Sequence, residues 1–227
     1  MAVAPMLTER DLELLRRFDT CMIANAVETF HVRLQNTGFS DASIRCIFPD
    51  APPMVGYAAT ARLRSGDPPI AGGSFRDHAD FWNRILEIPA PRILVLQDMD
   101  DPPGHGAFIG DMHAAILKAL GCVGHLTNGA VRELPSVQSL GLQLFAGSVA
   151  VSHAYAHIFD IGATLTLGGM EVRPGGLLHG DRHGVVTIPL EIAAAVPRVA
   201  DGLRQTEQKV IEFCRSGSFR WRVCAIS

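Results

Sequence analysis

Asp111 and Arg132 are separated by the twenty residues 112 to 131, and each has further chemistry beside it. Asp111 belongs to the run Gly110-Asp111-Met112-His113, at a loop-to-helix junction, while Arg132 is followed directly by Glu133. The first turn of a helix leaves backbone N–H groups without partners inside the helix, so the amides of Met112 and His113 would face an anion there. Arg132 offers a planar guanidinium fork that suits a carboxylate. Asp111 and Glu133 offer oxygen ligands for a hard divalent cation, which keeps several waters when few carboxylates hold it. On residue type alone, other readings stay open. An Asp in a first turn also serves the helix dipole, and an Arg-Glu pair also makes a surface ion pair.

Other reactive side chains are weaker candidates. His153 and His157, and again His179 and His183, stand four apart, the spacing that binds zinc on one helical face. Neither pair lies in a helical pattern, because Gly180 and Gly184 surround the second and turn or strand signals surround the first. Hydrogen bonding within loops, or lining a site from a neighbouring subunit, is the better expectation for these rings. His105 and His113 lie nearest the proposed metal, and His113 is expected to matter through its backbone with its ring turned away. Cys122 has no identifiable His partner and reads as buried packing. The loop Ser65 to Arg76 reads as a solvated connection, with a lid that brings Arg76 to a second carboxylate as the alternative.

The elements that must position Asp111 and Arg132 follow from the pattern around them. Asp111 to Leu120 is helical with Gly121 at its C-terminal cap, and Val123 to Thr127 reads as a strand ended by the turn pair Asn128-Gly129. Such a helix and return strand bring the chain back to one sheet edge, where ligands of α/β proteins usually bind. Upstream, Thr8 and Asp11 form a capping box for a first helix, and Asp19 and Thr20 can cap a second that runs through Phe30. Gly56 to Leu63 reads as a strand of small residues, Phe75 to Leu86 as a helix, and Arg92 to Leu96 as a strand covered on both faces. Shorter strands are expected at Leu142–Phe145, Val149–Val151, Leu165–Leu167, Glu171–Arg173 and Gly184–Ile188. A last helix should run from Pro189 to about Cys214, with Pro197 in its first turns. The alternation argues for an α/β fold with a mixed, partly parallel sheet and a β-rich second half. Without a linker-like stretch or a repeat, residues 1–227 read as one domain: N-terminal helices at about 7–31, a core at about 50–190 and a C-terminal helix at about 190–215.

Composition sets the outer bounds. Twenty basic against twenty-three acidic residues give a formal charge of −3, which lacks the cationic footprint of a nucleic-acid binder. Apolar residues at 48% and charged residues at 19% suffice for a buried core. No apolar run approaches the ~18 residues that span a bilayer, and the first residues lack the apolar core of a secretory signal, so a cytoplasmic protein is expected. Five cysteines, with no Cys-x-x-Cys pair, indicate reduced thiols.

The stretch from Gly110-Asp111 through Gly121-Cys122-Val123-Gly124 to Asn128-Gly129-Ala130-Val131-Arg132-Glu133 resembles the family of class II 4-hydroxy-4-methyl-2-oxoglutarate aldolases and RraA-type regulators of ribonuclease activity. That family's signature is an Asp, twenty residues, then Arg-Asp. Gly168 to Gly175, Asp181 to Pro189, Val55 to Thr60 and Asn25-Ala26 are similar to its other elements, so the likeness covers about residues 15 to 195. It implies a layered α/β/α fold of swivelling type, assembled as a homotrimer or dimer of trimers with sites between subunits. It also implies an aldolase that binds Mg2+ or Mn2+ and a small 2-oxo acid such as pyruvate. Arg132 would pair with the substrate carboxylate, the amides of Gly110 to His113 would hold the oxo acid, Glu133 would ligate the metal and Asp111 would hold its water. The implied reaction cleaves a 4-hydroxy-2-oxo acid to pyruvate, with oxaloacetate decarboxylation beside it. The alternative is a non-catalytic regulator that binds a ribonuclease or helicase. Glu133 stands where the commoner residue is Asp, and Gly176 where many members carry Asp. Because regulator-type members generally lack the signature Asp, Asp111 with an acidic Glu133 favours the enzymatic branch. A methyltransferase reading finds no glycine-rich adenosylmethionine loop.

Overall fold

In the computed structural model, which describes residues 6–70, 78–217 and 219–220, the N-terminal capping signals act as their chemistry requires. Thr8 and Asp11 cap each other's backbone at the start of α1 (Glu9–Leu15), and the Asp19 side chain accepts from the Met22 N–H to open α2 (Thr20–Glu28). The chain continues through β1 (Arg45–Cys46), β2 (Met54–Arg64), α3 (His78–Leu86), β3 (Arg92–Asp98), β4 (Ala107–Ile109), α4 (Asp111–Ala119), β5 (Cys122–Thr127), β6 (Ala130–Val131), α5 (Leu134–Ser139) and β7 (Gln143–Ala146). Then follow β8 (Ser148–Val149), β9 (His157–Ile161), β10 (Leu165–Leu167), β11 (Met170–Val172), β12 (Leu177–Asp181), β13 (Gly184–Ile188), α6 (Leu190–Ala193) and α7 (Val196–Arg215). The last two replace the single helix expected after Pro189. Pro197 lacks an N–H and sits in the first turn of α7, a position where that loss costs nothing, so a helix starts there more readily than one passes through.

The main sheet runs β1-β7-β5-β3-β2-β12-β13, with β9 joined to β2. The pairs β2·β3, β3·β5 and β5·β7 are parallel, whereas β12 and β9 each pair antiparallel to β2. Strand β2 is long enough to serve both, β12 along Met54 to Tyr57 and β9 along Ala61 to Arg64. The sheet is therefore mixed and partly parallel, and the fold is α/β with a strand-rich second half.

Alternate residues of β2 divide the core. Val55 and Tyr57 pack with α1, α2 and α7, and Ala59, Ala61 and Leu63 pack with Phe81 and Ile85 of α3, Leu117 of α4 and Val137 of α5. Met54 and Ala58 point the other way, into a cluster closed by Leu165, Leu167, Met170 and Val172 of the β10–β11 hairpin. Covered on both sides, β2 and β3 are almost continuously buried, the pattern that Arg92 to Leu96 showed in the sequence. Among the described residues no helix is long and apolar enough to cross a membrane.

A separate three-stranded sheet, β4-β6-β8, carries the site. Its pairs are parallel: Ala107 lies beside Ala130, Ile109 beside Val131, and Val131 beside Val149. Gly110 and Asp111 leave the C-terminal end of β4, and Arg132 and Glu133 leave the same end of β6.

Candidate active site

The two halves of the Asp111/Arg132 pattern meet because β4 and β6 are adjacent and parallel. The Arg132 N–H donates to the Ile109 carbonyl at 3.1 Å, which extends the pairing by one residue past β6. Glu133 then closes the site. Its Oε2 accepts from the Asp111 N–H at 2.8 Å, and its Oε1 accepts from Arg132 Nη2 at 2.7 Å. Asp111 and Arg132 thus share one carboxylate, well inside the separation of about 10 Å beyond which both could not address one small acid. The Asp111 Oδ1 in turn accepts from the Met112 N–H at 2.6 Å.

Local backbone geometry explains why these contacts form. Gly110 is the N-cap residue of α4 in extended conformation, and a Cβ there would lie 2.3 Å from Glu133 Oε2 and 3.1 Å from Arg132 Nε. Glycine leaves that space to the Glu133 carboxylate. Glu133 itself adopts φ 55° and ψ 40° as the N-cap of α5, a left-handed conformation that costs a non-glycine residue of the order of 1 kcal/mol. The structure holds that strain at the residue whose side chain joins the two segments.

Asp111, Met112, His113, Arg132, Glu133 and Gly110 all line one pocket of about 250 Å³, together with Ala107, Phe108, His153 and Ala156. Its volume lies below the ~300 Å³ at which sites for drug-sized ligands begin, which suits a small acid. Phe108, Ala107 and Ala156 supply an apolar wall, and Arg132 supplies the positive charge. His113 is fixed by its neighbours. Its ring stacks on Phe108 at a centroid distance of 4.6 Å, its Nδ1 meets the Phe108 carbonyl at 2.8 Å, and Trp82 lies beside it, so the ring is packed against a wall residue.

Two carboxylates, Asp111 and Glu133, line the pocket, and among the described residues no group of three or more His, Cys, Asp or Glu comes together. Two hard oxygen donors suit a cation such as Mg2+ or Mn2+ that keeps most of its water, and they do not suit zinc, which takes three or four protein ligands. The spaced histidines do other work. His179 is fully buried, its Nδ1 2.9 Å from Thr20 Oγ1 and its Nε2 3.3 Å from the Leu15 carbonyl, and burial pulls its pKa down to about 4. His183 bonds Asp181, His157 bonds the Tyr155 carbonyl, and His153 bonds the Ala154 carbonyl. His153 also lines the pocket of its own chain. Burial pushes the Cys122 thiol up to about 11, in keeping with a packing role. Of the loop Ser65 to Arg76, residues 71–76 lie outside the described residues. Ser65 and Gly66 at its start donate to Asp100 Oδ2.

In the main sheet, Asn128 ties the end of β5 to β3, its Oδ1 accepting from the Asp98 N–H and its Nδ2 donating to the Asp98 carbonyl. Burial raises the Asp98 pKa, against hydrogen bonds from the Asp100 and Gly104 amides that lower it. Sequence reasoning missed Phe108, Ala107 and Ala156 as wall residues. The available signal was their position directly before Gly110-Asp111 and beside His153.

Comparison with known proteins now adds the family. The chain matches the model described as RraA-like, Aldolase/RraA, over residues 20–187, and it belongs to that family. It is 32% identical over 137 residues to a Halalkalibacterium halodurans protein named "Putative 4-hydroxy-4-methyl-2-oxoglutarate aldolase", in an alignment that spans 60% of each chain. Its fold is similar to that of an uncharacterized protein from Pseudomonas syringae pv. tomato, with a TM-score of 0.75 and 22% identity over 96% of this chain and 94% of that one. It is also similar to Streptomyces coelicolor RraAS2, described as an unusual member of the RNase ES inhibitor RraA protein family. There the TM-score is 0.71 and the identity 18%, over 91% of this chain and 98% of that one.

Proposed function

We propose that this chain is a carbon–carbon lyase that cleaves a 4-hydroxy-2-oxo acid to pyruvate and a second carbonyl compound, with oxaloacetate decarboxylation as the equivalent side reaction. One observation carries the reading: a carboxylate, that of Glu133, already sits between the Asp111 amide and the Arg132 guanidinium on the pocket wall. The carboxylate of a 2-oxo acid presents the same charge and shape to the same donors once Glu133 turns aside. Family membership and the name of the Halalkalibacterium halodurans relative support the same reaction class.

In this reading the Arg132 fork pairs with the substrate carboxylate. The amides of the first turn of α4 donate to the oxo acid, where the positive end of the helix favours developing negative charge. Phe108, Ala107 and Ala156 keep water from the reacting carbons. Asp111 and Glu133 would hold a hydrated Mg2+ or Mn2+. Such an ion, when bound, supplies Lewis-acid polarisation of the oxo group.

The test is pyruvate release from 4-hydroxy-4-methyl-2-oxoglutarate and from oxaloacetate, with added Mg2+ or Mn2+ and with EDTA. Release that needs the ion supports the lyase. No release from either substrate under any ion condition removes it and leaves the regulator reading in its place.

A further inference from the structure

We propose that His153 is the general base of this site, taking the proton from the C4 hydroxyl of the substrate; the assignment rests on the lyase reading above. His153 lines the pocket that holds Asp111, Arg132 and Glu133. Its Nδ1 lies 2.8 Å from the Ala154 carbonyl, and a carbonyl oxygen can only accept, so Nδ1 carries the hydrogen. The neutral ring therefore has its lone pair on Nε2, the form a base requires. His113, the other imidazole of the pocket, is stacked on Phe108 and bonded to that residue's carbonyl, a structural position.

The segment that presents His153 is anchored at several points. Ser152 accepts through its carbonyl from the Ala107 N–H at 3.0 Å, and through its Oγ from the Ala154 N–H at 2.9 Å. The Tyr155 N–H donates to the Ser65 carbonyl, and Ala154 is held at φ 44°, a left-handed strain that this turn imposes on a non-glycine residue. Gly106 completes the anchor, since a Cβ on it would lie 2.4 Å from the His153 carbonyl oxygen. The turn is thus pressed onto the chain just before β4, whose far end delivers Gly110 and Asp111. Imidazole and guanidinium thus lie on segments that follow β8 and β6, neighbouring strands of one small sheet.

The proton and electron count is simple. His153 Nε2 removes the proton from the C4 hydroxyl, the C4–O bond becomes a carbonyl, the C3–C4 bond breaks, and its electron pair moves to C3 to form the pyruvate enolate. Solvent water protonates C3 to give pyruvate, and the hydroxide left behind takes the proton from the His153 imidazolium, which restores the neutral base. Oxaloacetate decarboxylation yields the same enolate by loss of carbon dioxide, with no hydroxyl proton to remove. The two reactions therefore place different demands on His153.

His153→Asn retains a donor at the position of Nδ1 and so keeps the turn's own contact, while removing the base. With Mg2+ present, it is expected to lower kcat for cleavage of 4-hydroxy-4-methyl-2-oxoglutarate by about 100-fold or more, with KM changed less than about threefold. Decarboxylation of oxaloacetate should fall by less than about threefold. His153→Gln, with its melting curve recorded, repeats the test with a different side chain. Equal loss of both reactions would show a structural role and overturn the proposal, as would cleavage within about threefold of wild type, the result if a solvent molecule takes the proton. Failure of wild type to catalyse either reaction would instead overturn the lyase reading, and this assignment with it.

Discussion

The Glu133 carboxylate accepts a hydrogen bond from the backbone N–H of Asp111 at 2.8 Å, so a side chain at the end of β6 caps the helix that follows β4. That contact depends on Gly110, whose missing Cβ leaves the room Glu133 Oε2 occupies. Gly110→Ala is expected to displace the carboxylate and disturb Arg132 with it. Cleavage should fall by at least about tenfold, while the melting temperature changes by only a few degrees, because a flexible carboxylate can move where backbone could not. Kinetics alongside a thermal melt checks both halves.

Glu133 carries left-handed strain that glycine would not. Relief of that strain, of the order of 1 kcal/mol, opposes the loss of a partly exposed ion pair worth about 0–1 kcal/mol. Glu133→Gly should therefore melt at or slightly above the wild-type temperature while losing turnover. A melting temperature several degrees lower would show that the Glu133 contacts stabilise the fold more than they serve the site.

Two buried histidines set an acid limit on stability. Burial lowers the pKa of His125 and of His179 to about 4, from the 6.5 of an exposed ring. Between those values the unfolded chain binds protons that the folded chain does not, so stability is full above about pH 6.5 and is lost as pH falls toward 4. Each ring contributes a loss of the order of 1 kcal/mol per pH unit across that window. Urea midpoints should be flat from pH 7 to 8 and fall steadily below 6.5. His179→Gln should flatten that fall by about half, whereas an unchanged slope would remove His179 from the account.

Much of the frame was legible in the sequence because it rests on long periodic runs and on local caps. The helix expected at Asp111–Leu120 runs Asp111–Ala119, the strand expected at Arg92–Leu96 runs Arg92–Asp98, Thr8 caps as read, and of the pair Asp19-Thr20 it is Asp19 that caps. The sheet that assembles the site was not legible. Strands β4, β6 and β8 have three, two and two residues, too few to show a period of two, and the six residues of α5 are too few to show one of 3.6. Strand β12 was hidden by His179 and Gly180, which read as loop residues until the structure buries them beside Thr20 and Phe145. Spacing alone brought Asp111 and Arg132 to one edge. The bridge through Glu133 appears only when the left-handed backbone at that residue is seen.

In the lyase reading, Arg132 receives the carboxylate of a 2-oxo acid in this pocket. Pyruvate release from 4-hydroxy-4-methyl-2-oxoglutarate, measured for wild type and Arg132→Ala at equal protein and Mg2+ concentrations, tests it most directly. Steady release by wild type is expected, with a fall in kcat/KM of about 100-fold or more in the variant, the scale of a charge-assisted pair made to the reacting substrate. Equal kcat/KM in the two proteins, or no release by wild type, would contradict it.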